Sequence, residues 1–397
     1  MKPATPVAVT GIGCLCAAGD TVQKCMEAVF RGERNPAPPR GFFVGREAAY
    51  PVFEVSMELP TPRIPGKSGV LRTSRLALAA TLAALEDADL DRDALGSRRV
   101  GVCIGTTVGS AMNNEDFYKE YRDGQHPNMA PIERFLASNP ASVLAKEFEV
   151  TGPCQTVVNA CASGTDAVGI GASWIRAGLC DVVLSGGADE LCRVTYEGFI
   201  SLMVTDAAPC RPFDVARRGL NLGEGAALLV LESEESRQAR GKGARSYVLG
   251  YGSAGDAYHL TAPDPKGRGL RRAISEALGQ AGLGPAAVAF VNAHGTGTAD
   301  NDLTESKVLA DLLPNVPFLS TKGCTGHTLG AAGAIEAAFT VACLEERRIP
   351  ASAGYAEPDC ELPASPVDHP TPIVGNVALS ESLAFGGHNA VLLFGTS

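Results

Sequence analysis

Short runs of β-branched and other apolar residues alternate along this chain with segments of helical pattern, and turns rich in glycine and alanine separate them. Such alternation is typical of βαβ units, which build a layered α/β fold rich in parallel strands. Segments 75–90 and 270–281 carry apolar residues at helical spacing and are predicted to be helices. The predicted strands are residues 7–10, 100–104, 182–185, 226–231, 289–292 and 390–394.

A weak internal repeat predicts two similar halves. In the first half, a strand-like run at 155–158 leads to Cys161 and then to a helix of small residues over 162–177. In the second half, a strand-like run at 316–320 leads to His327 and to another small-residue helix over 329–344. We therefore predict an N-terminal half at residues 1–246 and a C-terminal half at residues 247–397, with a site between the two helix N-termini.

Composition and charge narrow the class of protein. The chain has 397 residues, 45% of them hydrophobic and 20% charged, so it can bury a large core in one or two domains. It has no run of about 18 apolar residues and no N-terminal basic segment with a cleavage site, so we expect a soluble protein that stays in the cytoplasm. A net charge of −10 argues against binding to nucleic acid or to an anionic membrane.

Cys161 is distinguished from the other eleven cysteines by its position. No CxxC pair occurs, and most of the thiols are expected to be small buried hydrophobic groups. Cys161, however, lies where an apolar strand ends and a helix begins. The positive end of a helix favours a thiolate nucleophile, and its free N–H groups can hold an oxyanion. The alternative interpretation is a buried structural cysteine at a tight turn.

Two histidines lie at similar junctions of strand and loop. His294 follows a predicted strand inside a loop of glycine and threonine, and His327 precedes the second small-residue helix. Either one alone could be an ordinary hydrogen-bonding histidine. Because open sheets bind ligands at the carboxyl ends of their strands, one shared site explains Cys161, His294 and His327 together.

The sequence resembles the β-ketoacyl-acyl carrier protein synthase family, close to the elongating condensing enzymes of type II fatty acid synthesis. The resemblance covers nearly the whole chain, with the motifs in the family's order. They are Cys161-Ala-Ser-Gly, Arg211-Pro-Phe-Asp214, Gly223-Glu-Gly225, Asp256 to Pro263, His294-Gly-Thr-Gly-Thr298, Asn301-Asp302 with Glu305, Lys322, Gly326-His327, Gly330-Ala-Ala-Gly333 and Phe385-Gly-Gly-His-Asn389.

The resemblance implies a thiolase-like, five-layered αβαβα fold made of two similar halves. It implies an acyltransferase that joins an enzyme-bound acyl group to malonyl-acyl carrier protein by decarboxylative Claisen condensation, in fatty acid or type II polyketide or polyene biosynthesis. No metal and no cofactor of its own are expected, since the substrates are carried on the phosphopantetheine of acyl carrier protein. The implied partners are that carrier protein and a second copy of the chain, or else a chain-length factor in a heterodimer.

The resemblance also implies roles for individual catalytic residues. Cys161 would carry the acyl group, while His294 and His327 would act on the malonyl thioester. Lys322 and Glu305 are similar to the family's ion pair that organises this site. Phe385 is similar to the family's gating aromatic, and its N–H group would form the oxyanion hole with that of Cys161.

The substrate-binding positions are implied in the same way. Thr296 and Thr298 would contact the pantetheine arm, and Val108 would lie at the edge of the acyl pocket. Thr261 and Gly386 lie in motifs that border the predicted site.

Two other classes of function remain as alternatives. A coenzyme A-dependent thiolase would need a second cysteine as base, and Cys324 does not stand in that role by motif. A non-catalytic chain-length-factor-like subunit would usually lack the nucleophile, which Cys161 supplies.

Two surface features are less decisive. Arg63, Lys67, Arg72 and Arg75 form a basic stretch that could dock an acidic partner or could be a solvated face. The GxGxxG pattern at 250–255 is followed by prolines rather than a helix, so it is not expected to bind a dinucleotide.

Overall fold

The structure is a computed structural model that describes residues 3–45, 49–63 and 69–396. The strands in these ranges are β1 (Val7–Cys16), β2 (Val100–Gly105), β3 (Cys154–Val157), β4 (Val182–Asp189), β5 (Gly225–Glu232), β6 (Ser246–Gly255), β7 (Phe290–Asn292), β8 (Phe318–Leu319), β9 (Arg348–Ile349), β10 (Thr371–Pro372), β11 (Val377–Ala384) and β12 (His388–Gly395).

The α-helices of the same ranges lie mostly between these strands. They are α1 (Val22–Phe30), α2 (Arg72–Asp87), α3 (Arg92–Gly96), α4 (Glu115–Arg122), α5 (Ala130–Ala137), α6 (Pro140–Glu147), α7 (Ser163–Arg176), α8 (Arg193–Ser201), α9 (Glu234–Ala239), α10 (Arg268–Ala281), α11 (Ala299–Leu312), α12 (Lys322–Thr325) and α13 (Ala332–Glu346). None of the described helices combines the length and the apolar character needed to cross a bilayer.

The sheet order repeats itself in the two halves of the chain. Ten strands form one continuous sheet in the order β3-β2-β4-β5-β1-β6-β12-β11-β7-β8. In the first half β3, β2 and β4 are parallel and β5 and β1 follow antiparallel. In the second half β8, β7 and β11 are parallel and β12 and β6 follow antiparallel. The predicted boundary after Ser246 lies one residue inside β6, the strand at which this repeat begins.

Alternate residues of the strands face two different layers of helices. In β4, Val183 faces a core that contains α7 and α13, whereas Val182 and Leu184 face the core formed with α2. In β12, Leu392 faces the same central core, whereas Leu393 faces α10. The two sheet halves therefore enclose α7 and α13, with outer helices on either side, which confirms the predicted five-layered fold.

The predicted strands are all present, but several boundaries differ. The strand predicted at 316–320 is reduced to the two residues of β8, and the helix predicted from residue 75 begins at Arg72. The glycine-rich segment 250–255 lies within β6 and continues into a loop rather than a helix. This is the conformation expected from the prolines that follow it.

The central helices α7 and α13 approach so closely that only small residues fit between them. A Cβ atom on Gly164 would lie 2.8 Å from the carbonyl oxygen of Gly330, and one on Gly333 would lie 1.9 Å from Thr165 Oγ1. Heavy atoms at such distances overlap, so the backbones could not stay where they are. The alanine- and glycine-rich composition of both helices is thus required by the packing.

We expect Gly333→Ala to destabilise the protein by about 1–3 kcal/mol, because the new methyl group forces α7 and α13 apart. The matched control is Gly279→Ala in α10, where a Cβ meets nothing within 4 Å; there alanine should be neutral or slightly stabilising. Urea unfolding of both variants measures the difference. Equal stabilities of the two variants would contradict the packing argument.

Candidate active site

Cys161 lies on a sharp turn between β3 and α7. Ala160, just before it, has a φ of +46°, a left-handed conformation that non-glycine residues adopt infrequently. Ser163 Oγ holds the turn by donating to the carbonyl of Ala160 at 2.6 Å and accepting from the N–H of Asn159 at 2.7 Å. The turn directs a nearly buried thiol, 4% exposed, towards the second half of the chain.

The two predicted histidines meet Cys161 at that point. Nε2 of His327 lies 3.0 Å from Sγ of Cys161, within hydrogen-bonding distance for sulfur. The His294 and His327 rings are 5.2 Å apart between centroids and nearly perpendicular. One nitrogen of each ring and the sulfur lie within 4.8 Å of one another. The structure therefore brings together the three groups that the sequence predicted to share one site.

Lys322 lies directly behind His294. Its Nζ is 3.2 Å from His294 Nδ1 and donates to the His294 carbonyl at 2.5 Å. The lysine is 1% exposed, and its ion pair is with Glu336 of α13. The predicted ion pair with Glu305 was wrong. Glu336 is the one carboxylate in the buried part of α13, residues 332–344, and this is the sequence signal that could have identified it, since such a group needs a partner.

Glu305 instead orders the backbone around His294. Its carboxylate accepts hydrogen bonds from the N–H groups of His294, at 2.6 Å, and Gly295, at 2.8 Å. Asp302, one turn earlier in α11, accepts from the N–H groups of Thr296 and Gly297. These two buried carboxylates hold the loop that follows β7 in place from beneath.

Burial controls the protonation of the reacting groups. Loss of solvation raises the pKa of the Cys161 thiol to about 12, although Lys322 and the N–H groups of Phe385 and Cys161 act in the opposite direction. Burial and the Lys322 ammonium hold the pKa of both His294 and His327 well below the usual range. The resting pair is therefore a neutral thiol and a neutral imidazole. The N–H group of Cys161, just before α7, acts in the predicted direction, towards the thiolate, and burial opposes it.

A cavity of about 290 Å³ opens from this cluster to the surface. Of the other predicted residues, Phe385, Thr296, Thr298 and Thr261 line it as well. Gly386 adjoins Phe385 and donates its N–H to the carbonyl of Leu260 at 2.7 Å. This contact joins the two loops that border the cavity.

Val108 does not line the cavity that contains Cys161. It borders a second cavity of about 220 Å³, together with Phe135, Leu136 and Val158. Val108 thus lies at the edge of a cavity with apolar residues, and its assignment to the acyl pocket stays a prediction. The two cavities are separated by the turn that carries Cys161.

Phe199 of α8 is a cavity residue that the sequence analysis missed. Its ring stacks on Phe385 with centroids 5.4 Å apart and an interplanar angle of 15°, and its edge faces His327 at 6.5 Å. Its ring thus contacts both the predicted gating aromatic and one of the two imidazoles. No local pattern distinguishes this aromatic residue from an ordinary core position.

Cys161, His294 and His327 also form the kind of ligand set that zinc prefers. A divalent cation there would lie beside the buried Lys322 ammonium, 3.2 Å from one of the imidazoles. Like charges at that separation in a desolvated site repel strongly. The arrangement thus suits proton transfer to and from sulfur better than cation binding.

The basic stretch before α2 is largely engaged in internal contacts. Arg72 donates to both carboxylate oxygens of Glu224, and Arg75 donates to the carbonyls of Leu59 and Pro60. Arg63 is exposed, whereas Lys67 lies outside the described residues. Arg72 and Arg75 are therefore held by internal contacts, and a docking role for this stretch stays a prediction.

The raised pKa of Cys161 predicts how fast the thiol is alkylated as the pH changes. Because the thiol is mostly protonated below its pKa, the rate of iodoacetamide reaction at Cys161 should rise about tenfold per pH unit from pH 7 to 9. Mass spectrometry of the Cys161 peptide measures it, with the exposed Cys360 as a control for the reagent. A plateau below pH 8 would show that the thiolate is already stabilised at rest.

Comparison with known proteins places this geometry in a family. The family model described as the N-terminal domain of β-ketoacyl synthase matches residues 63–237, and the model described as its C-terminal domain matches residues 245–356. The 3-oxoacyl-[acyl-carrier-protein] synthase 2 of Synechocystis is 35% identical over 98% of this chain and 97% of that protein. The protein of the same name from Staphylococcus aureus is 32% identical over the same shares.

Solved structures show the same relationship. A chain of the ishigamide ketosynthase/chain length factor superposes with a TM-score of 0.92 at 32% identity, covering 99% of this chain and all of that one. A chain of the ketosynthase ApeO in complex with its chain length factor ApeC, from Xenorhabdus doucetiae, gives 0.83 at 30% identity, covering 99% and 98%. The matched family models, the relatives above 30% identity and the shared fold agree, and the chain belongs to the β-ketoacyl synthase family.

Proposed function

We propose that this protein is a 3-oxoacyl-acyl carrier protein synthase, which condenses an acyl group held on Cys161 with malonyl-acyl carrier protein. The observation that carries the proposal is the contact of 3.0 Å between Cys161 Sγ and His327 Nε2, with the His294 ring beside it at the end of one cavity. A nucleophile beside a neutral base, at the end of a passage for a long thioester arm, suits acyl transfer between thioesters.

In the acylation step, Cys161 Sγ attacks the acyl thioester carbonyl and the pantetheine thiolate leaves. His327 Nε2 accepts the thiol proton, which then passes to the leaving sulfur. Because the pKa of His327 is held well below its usual range, its imidazole is neutral and available as the acceptor. The thioester bond that breaks is replaced by another, so the step requires no external energy source.

In the condensation step, malonyl thioester loses carbon dioxide and the resulting enolate attacks the acyl carbon. The neutral His294 ring, whose Nδ1 faces the Lys322 ammonium, can donate from Nε2 to the thioester oxygen on which negative charge develops. His327 can donate to the same oxygen in the tautomer that carries its hydrogen on Nε2, which differs from the tautomer that accepts the thiol proton. The carbon–carbon bond forms as the bond to Cys161 Sγ breaks. The residues that act here are acids, bases and a nucleophile, and the acyl groups bring phosphopantetheine with them.

The N–H groups of Cys161 and Phe385 support an oxyanion hole. Both act to lower the pKa of the Cys161 thiol, as N–H groups directed at a sulfur do. A thioester carbonyl attacked by Sγ would have its oxygen in the same region. Thr296 and Thr298, whose hydroxyls are 2.8 Å apart along the cavity, are proposed to contact the pantetheine arm.

The thiolase alternative would need a second cysteine at the site. Cys324 is 2% exposed, packs in the central hydrophobic core and is absent from the cavity lining. Burial raises its pKa to about 12. Cys161 is the described cysteine that lines the cavity, so condensation driven by decarboxylation is favoured.

A second copy of the chain is the proposed structural partner. β3 forms one end of the ten-stranded sheet, and residues Cys154 and Gln155 on it are exposed. Beside it, Val158 and Leu136 are 66% and 69% exposed. An open edge flanked by apolar side chains favours pairing with another chain. We also propose a cytoplasmic location, where exposed free thiols such as Cys154 remain reduced.

The proposed reaction predicts acylation at one residue. Incubation with an acyl-acyl carrier protein should add one acyl mass to the Cys161 peptide, and Cys161→Ala should lose this label and condense at least about 10³-fold more slowly. Cys324→Ala, a buried cysteine outside the cavity, is the matched control and should label normally. Label on another cysteine, or none from any carrier-bound donor, would refute the proposed function.

The proposed homodimer predicts the effect of a charge at the sheet edge. Val158→Asp should shift the protein from dimer to monomer in light scattering, because a carboxylate would have to be desolvated at the interface. Val374→Asp, at a valine that is 91% exposed in the loop between β10 and β11, should leave the dimer intact. A wild-type chain that is monomeric on its own would instead favour the heterodimer with a chain-length factor.

A further inference from the structure

We propose that Asp166 and His388 are positioning residues that fix the spacing between the two halves of the oxyanion hole. The inference rests on the proposed function, since it assumes that the N–H groups of Cys161 and Phe385 stabilise the acylation transition state. Neither Asp166 nor His388 lines the cavity. They would act through the two segments that do.

One carboxylate oxygen joins those two segments. Oδ2 of Asp166 accepts a hydrogen bond from Nδ2 of Asn159 at 2.6 Å and lies 3.0 Å from Nε2 of His388. Asp166 itself is held in α7, with its N–H donated to the carbonyl of Ala162 at 2.9 Å. A nitrogen from each half of the chain therefore lies within 3.0 Å of the same oxygen atom.

Both donors lie next to the groups that they would position. Asn159 is two residues before Cys161, in the turn that directs the sulfur. His388 opens β12 directly opposite Ala384 of β11, so the hairpin turn between them carries Phe385. A shift of either donor away from Asp166 would move one N–H group relative to the other. Oxyanion stabilisation is sensitive to displacements of this kind, because the donors must meet an oxygen at hydrogen-bond distance.

The surroundings hold the carboxylate in one orientation. Tyr251 donates its hydroxyl to the other oxygen, Oδ1 of Asp166, at 2.7 Å. Ser253 Oγ lies 3.3 Å from His388 Nε2, the same ring nitrogen that faces Asp166. The side chain of Asp166 is 4% exposed and that of His388 is 22% exposed. In this partly buried site the hydrogen bonds compete little with water and are correspondingly directional.

The proposal separates two reactions of the same sulfur. Acylation passes through a tetrahedral oxyanion, and both N–H groups must lie within hydrogen-bond distance of that oxygen. Alkylation by iodoacetamide is a direct displacement at carbon and develops no such oxyanion. Loss of the Asp166–His388 contact should therefore slow acylation more than alkylation, because alkylation loses only the effect of these N–H groups on the thiol pKa, whereas acylation also loses stabilisation of the oxyanion. General damage to the fold would slow both reactions alike.

The test measures the rate of Cys161 acylation by an acyl-pantetheine thioester and the rate of its alkylation by iodoacetamide, in the full-length protein. We expect His388→Ala and Asp166→Asn to lower the ratio of the acylation rate to the alkylation rate by about tenfold or more. The double variant should be no worse than the worse single variant, because both remove one shared contact. His388→Gln, which retains a donor, should recover most of the ratio.

Two controls make the result specific. Tyr251→Phe removes the donor to Oδ1 but leaves both donors on Oδ2, and His369→Ala removes an exposed histidine–aspartate pair elsewhere. Both should keep the wild-type ratio. Unchanged ratios in His388→Ala and Asp166→Asn, with a wild-type protein that is acylated normally, would overturn this proposal alone. A wild-type protein that is not acylated at Cys161 would overturn the proposed function and this inference with it.

Discussion

The close contact between α7 and α13 is the constraint on which the rest of the molecule depends. Each helix follows a turn that carries a reacting side chain, so the distance between the helices sets the distance between Cys161 and His327. Gly164 and Gly333 lie where the helices approach, and neither has room for a side chain. The small residues between α7 and α13 thus support the active site, since a larger distance between the helices would separate the Cys161 sulfur from the His327 imidazole.

The second consequence of this packing is a desolvated site whose charges lie behind the reacting groups. Lys322 and Glu336 are buried as a pair beneath His294, and the lysine helps to keep both imidazoles neutral. Neutral rings can first accept a proton from the thiol and later donate hydrogen bonds to an enolate. A protonated ring could not accept, so the ammonium contributes to the reaction without touching the substrate.

Much of this architecture could be predicted from the sequence, and the errors have a common physical cause. The strand and helix periods identified the layers, and strand-to-helix junctions identified Cys161, His294 and His327, because these are properties of short stretches of chain. The partner of Lys322 and the role of Phe199 depend on which distant segments come together in three dimensions. The thiol pKa depends on depth of burial, which local helix geometry does not reveal. The pairing of Arg72 with Glu224 depends in the same way on contacts across the fold.

The repeated strand order also has a consequence for how the molecule must be assembled. β3 and β8 occupy the same place in the two halves, and each leads to a turn with a reactive residue, Cys161 in one and His327 in the other. The duplicated scaffold has thus been divided into a sulfur-bearing unit and a proton-handling unit. Neither half holds a full set of reacting groups, so the reaction requires the interface between the two halves. A chain cut between β5 and β6 would leave two inert pieces until they docked again.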